Sequence, residues 1–107
     1  MNAESESRWI ASIDTGEKLR FLAMLAHQLT IAARSSYAAG TDTLSHPKRL
    51  RAINEIQHRV TACVSQMLAG NERGEFAHSI ASDVFGAEPD VQPYCVRAWE
   101  DAKRYLA

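Results

Sequence analysis

No HExxH, GxSxG, P-loop or GxGxxG run occurs anywhere in these 107 residues. The common zinc-hydrolase, serine-hydrolase, nucleotide and dinucleotide chemistries therefore have no recognisable carrier. Cysteine is scarce: Cys63 and Cys95 form no CxxC pair and keep no zinc-finger spacing with the histidines. Each lies inside an amphipathic stretch, which predicts a reduced, packed thiol. A disulfide between the two is possible on number, but a reducing compartment disfavours it. Three prolines and five glycines leave long stretches without a helix breaker. The formal net charge of −1 excludes the strongly basic domain of a general polyanion binder. No apolar run approaches the ~20 residues that span a bilayer, so no membrane partner is expected. The acidic start, Met1-Asn2-Ala3-Glu4-Ser5-Glu6, reads neither as a secretory signal nor as a transit peptide. The expected compartment is the cytoplasm.

What is present is helical periodicity. Hydrophobic residues make up 46% and charged residues 23%, the balance of a folded chain. The length suits one domain over 1–107, with 1–13 as a partly ordered leading segment. From Asp14 to about Ala39, Leu22, Leu25, Leu29 and Ala32 recur at 3-4-3 spacing, flanked by Leu19, Ala26 and Ala33. Asp14 with Glu17 makes a box-like start, and Gly40 is placed to terminate. A second helix is predicted from about Pro47 to Ala69 on the stripe Ile53, Ile56, Val60, Cys63, Met67, widened by Leu50 and Val64. Ser45 or His46 would cap it and Gly70 would end it. A shorter helix from about Glu72 to Phe85 would turn Phe76, Ala77, Ile80, Ala81 and Val84 inward. A last one, from Val91 or Pro93 to Leu106, would bury Cys95, Trp99, Ala102 and Leu106. Trp9, Ile10 and Ile13 suggest one further helical turn over an end of the core. No alternating β-branched stretch appears. The expected fold class is all-α, a small up-and-down bundle of about four helices.

The sharpest candidate motif is a doubled Glu-x-x-His, Glu55/His58 and Glu75/His78. Di-metal four-helix bundles use two such pairs plus one Glu from each other helix, for which Glu17 and Glu100 are available. Periodicity counts against this. His58 points nearly opposite the core stripe, Glu75 points away from its own, and a bundle-core metal needs inward ligands. Two solvated Glu–His pairs are the simpler account, so neither a metal nor a cofactor is expected.

Lys48, Arg49 and Arg51 cluster where the second helix begins and where its dipole favours anions, so each cation costs about 0.3–1 kcal/mol there. They are candidates for binding a partner's carboxylates or nucleic acid. Against nucleic acid stand the small footprint and an acidic remainder, five Lys/Arg against eight Asp/Glu from Asn54 onward. The outer face of the first long helix carries Met24, His27, Ile31, Arg34 and Ala38, too apolar for a fully solvated surface. Either another helix of the same chain crosses it, or a second copy does; an isologous contact would pair it with itself.

Three stretches, Leu25–Thr30, Gly40-Thr41-Asp42 and Leu50–Val60, resemble a group of small, uncharacterised all-helical bacterial proteins. The resemblance implies a bacterial cytosolic helical protein and carries over no activity. Within the third stretch Asn54, Glu55, His58 and Arg59 form a polar surface set, and Asn54 and Arg59 join the candidate partner-binding residues. The reading is a non-enzymatic helical interaction or regulatory module, a homodimer or a binder of a helical partner. A metal-binding bundle and a nucleic-acid accessory protein are the alternatives.

Overall fold

A computed structural model describes residues 2–39 and 46–106, and among them the chain is all-helical, with five helices and no strand. They are α1 (Ala3–Ser12), α2 (Thr15–Ala39), α3 (His46–Leu68), α4 (Ala77–Phe85) and α5 (Gln92–Arg104). The expected number was about four. The additional element is α1, for which a single turn was expected. It runs for 10 residues, and Asn2 Oδ1 caps it by accepting the Ser5 N–H at 2.9 Å.

The two long helices form as their stripes require. Leu22, Leu25 and Leu29 are fully buried on α2, as are Ile53 and Val60 on α3, with Ile56, Cys63 and Met67 close behind. Asp14 Oδ1 takes the Glu17 N–H at 2.8 Å and so satisfies one of the first free donors of α2. At the C-terminal end of α3, Gly70 adopts φ +77 and ends the helix, with the Gly70 N–H on Met67 O and the Asn71 N–H on Gln66 O. Gly40, the Gly40-Thr41-Asp42 turn and Ser45 lie outside the described residues, as do the side chains of Ala38 and His46.

Gln57 of α3 donates to Ala26 O at 3.0 Å and to Thr30 Oγ1. Gln57 is about as far past the start of α3 as residues 26–30 are before the end of α2, so the two helices run antiparallel. On its other side α2 packs against α5. Tyr94 lies beside Ile31 and Ser35, and Tyr105 beside Arg20 and Met24, so α5 is also antiparallel to α2. α1 packs chiefly on α4. The core is one cluster drawn from all five helices. Its aromatic centre is edge-to-face: Trp99 meets Phe21 at 4.7 Å, Phe85 at 5.7 Å and Trp9 at 6.1 Å between ring centroids.

α4 departs from expectation at its start. It begins at Ala77, not Glu72, because Gly74 takes φ +88 and the Glu72 carboxylate accepts the Glu75 N–H, folding 72–76 into a turn. Phe76 then precedes the helix and points outward, 64% exposed, while Ala77, Ile80, Ala81 and Val84 are buried as their spacing requires. On α5, Cys95, Trp99 and Ala102 are buried and Leu106 is only partly so.

Candidate functional site

The mixed outer face of α2 divides between two fates. Met24 is half-buried and packs on the edge of the core, whereas His27 and Arg34 are exposed and Ile31 is 42% exposed. α5 lies along this face without closing over it. The seam between them holds three hollows of about 190–400 Å³. Gln28, Ile31 and Met24 supply the α2 wall, and Arg97, Asp101 and Tyr105 supply much of the α5 wall. Tyr105 is 66% exposed.

The charge of the seam is one-sided. Among the residues lining its hollows are Arg20, Arg97 and Arg104 against one carboxylate, Asp101. Asp101 is already held by Arg104 Nη1 at 3.0 Å and, more loosely, by Arg97 Nε at 4.0 Å. Arg34 extends the basic character one turn beyond Ile31. Both ion pairs are surface pairs of helical spacing, each worth at most about 0.5 kcal/mol, so the arginines can be drawn to another anion.

The basic start of α3 does not join this seam. Lys48 and Arg51 are exposed and make no ion pair among the described residues, and Arg49 is half-buried with contacts of its own. Asn54 is exposed on the same helix. Arg59, lower on α3, pairs with Asp83 of α4 at 3.0 Å and stands on the rim of a groove of about 410 Å³. Cys63 and Ile80 lie in the wall of that groove, with Phe76 and Glu72 beside them. Burial, reinforced by the nearby Glu72 charge, pushes the Cys63 thiol up from its ordinary value, and burial alone pushes Cys95 up to about 11. Both thiols are buried and free.

The doubled Glu-x-x-His is not brought together. Glu55 and His58 are exposed on α3. Glu75 and His78 are also exposed, and Glu75 sits in the turn before α4, so that pair does not share the helical face its spacing implies. Among the described residues no group of three or more His, Cys, Asp or Glu side chains is placed to hold a metal ion.

Sequence reasoning missed Tyr105 and the outward turn of Phe76, which follow from where α5 ends and where α4 begins. It also missed Glu72, whose only signal was its place two residues before Gly74. No helix among the described residues is long and apolar enough to cross a membrane. Comparison with known protein families, curated proteins and solved structures yields no match to this chain.

Proposed function

We propose that the chain is a non-enzymatic helical interaction or regulatory module that takes an acidic amphipathic helix of a partner protein along the α2/α5 seam. One observation carries this reading: exposed apolar side chains, Ile31 and Tyr105, sit over hollows that Arg20, Arg97 and Arg104 surround. An elongated groove between two helices suits apolar anchors repeating every three or four residues on a partner helix. The arginines suit carboxylates on that helix, with charge complementarity speeding encounter and selecting the partner.

A second copy of the chain, the homodimer expected from the sequence, is the competing occupant of this face. An isologous pairing sets the arginines of both copies against one another, a repulsion that an acidic helix does not meet. Nucleic acid would satisfy the arginines and leave Ile31 and Met24 without a role. The test is binding of a synthetic helix with leucine on one face and glutamate on the other, compared with its lysine-for-glutamate twin. The account requires preference for the glutamate peptide, weakening with salt, and loss in Ile31→Glu. Sedimentation of the protein as a dimer that Ile31→Glu dissociates would assign the face to a second copy instead. Tighter binding of duplex DNA than of the glutamate peptide would assign it to nucleic acid.

A further inference from the structure

The groove between α3 and α4 is separate from the α2/α5 seam, and its chemistry differs. Its volume of about 410 Å³ falls in the range of small-molecule pockets. Its walls are apolar at Ala62, Cys63, Ile80 and the Phe76 ring, and Arg59, Gln66, Asn71, Glu72, Ser79 and Asp83 supply its polar groups.

Two carboxylates line it, and they are not equivalent. Asp83 is neutralised by Arg59 at 3.0 Å. Glu72 is 7% exposed and has no ion pair among the described residues. Its Oε1 accepts the Glu75 N–H, which accounts for one of the roughly four acceptor positions of a carboxylate. Lys18, whose side chain rests against Gly74 in the same turn, makes no ion pair with it. A nearly buried carboxylate is costly unless a cation or donors complete it. Here the remaining acceptor capacity stands in the wall of an open groove, beside an aromatic ring that 64% exposure leaves free to stack. Aromatic faces attract cations as well as apolar rings. The Cys63 thiol, held protonated by burial and by the Glu72 charge, contributes a soft apolar surface and no nucleophile.

We infer that this groove is a binding site for a small apolar organic cation, an arylalkyl primary amine. The ammonium group would be held by Glu72 and the ring would lie between Phe76 and Ile80. Tryptamine and its neutral isostere tryptophol are the probes. In 15N-resolved titrations of the full chain, tryptamine is expected to shift the amides of residues 59–83 and to bind at least about tenfold more tightly than tryptophol, since the charged pair is lost in the alcohol. Glu72→Gln keeps a carbonyl oxygen for the Glu75 N–H while removing the charge. It is expected to bring tryptamine down to the affinity of tryptophol and to leave tryptophol unchanged. Phe76→Ala, at an exposed position outside the core, is expected to weaken both probes together. Equal binding of amine and alcohol, tryptamine binding unaltered in Glu72→Gln, or no shift in the groove at millimolar tryptamine would each overturn the assignment.

Discussion

Trp99 donates its indole N–H to Glu6 Oε1 at 2.9 Å, and that bond joins the first helix to the last across 93 positions of sequence. Glu6 is 4% exposed, and Lys103 completes it, with Nζ at 3.1 and 3.2 Å from the two carboxylate oxygens and 4.4 Å from the centre of the Trp9 ring. The carboxylate thus has a neutral donor on one side and a cation on the other. This is the arrangement in which a buried charge is tolerated, and removing one partner is what makes it costly.

Glu6→Ala should therefore destabilise the protein by about 2–3 kcal/mol, because it leaves the indole N–H buried without an acceptor and strands the Lys103 ammonium. Glu6→Gln keeps an acceptor for the indole and should cost about 1 kcal/mol. Urea unfolding followed by tryptophan fluorescence measures both. Two variants within 0.5 kcal/mol of the wild type would mean that the Glu6 contacts add nothing to the global stability.

Asp14 gives the fold a pH dependence in the acid range. Its carboxyl is held below the ordinary 3.8, first by the Glu17 N–H and then by the Glu17 side chain, against desolvation, with smaller help from Gly16 and Arg20. A depressed folded-state pKa means that the carboxylate stabilises the fold fully above the unfolded value. That stabilisation is lost as pH falls through the folded one. Stability of the wild type should consequently fall more steeply below pH 3.8 than that of Asp14→Ala, measured by unfolding at a series of acid pH values. Parallel curves would show that the cap does not titrate with the fold.

Two glycines share a backbone conformation and should respond differently. Gly70 at φ +77 has open space where a Cβ would stand, so Gly70→Asn, which tolerates that conformation, should cost no more than about 0.5 kcal/mol. Gly74 at φ +88 would place a Cβ 2.8 Å from Lys18 Cδ. The lysine can yield, but the strain remains, so Gly74→Ala should cost about 1–2 kcal/mol. Thermal unfolding ranks the two, and the reverse order would contradict the geometry of the 70–76 turn.

The buried thiols should be silent in the native state. With Cys95 pushed up to about 11 and Cys63 raised by burial and by Glu72, neither offers thiolate at pH 8. A thiol-reactive disulfide reagent should label neither within minutes and both on unfolding. Rapid labelling of Cys63 alone would show that its thiol is reached from the α3/α4 groove in the folded state.

The long helices were legible because Leu22, Leu25 and Leu29, and Ile53, Ile56 and Val60, repeat one spacing over many turns. α1 was only half legible. The residue that fixes it is a glutamate on a core-facing position, and the partner that makes this acceptable, Trp99, is nearly the whole chain away. The start of α4 was misplaced because Phe76 matches the apolar spacing, whereas Gly74 and the Glu72 carboxylate decide the backbone. The outer face of α2 was recognised as unusually apolar from Met24 and Ile31. That α5 would flank it with Arg97 and Arg104 depends on packing, which no local pattern encodes.

The α2/α5 seam as a docking face for an acidic helix is tested most directly by 15N-resolved titration with the leucine–glutamate peptide and its lysine twin. The account predicts that the glutamate peptide shifts amides in residues 20–35 and 94–106, that Arg97→Glu and Ile31→Glu each suppress those shifts, and that the lysine peptide leaves the seam unperturbed. Equal shifts from both peptides, or shifts confined to other surfaces, would contradict it.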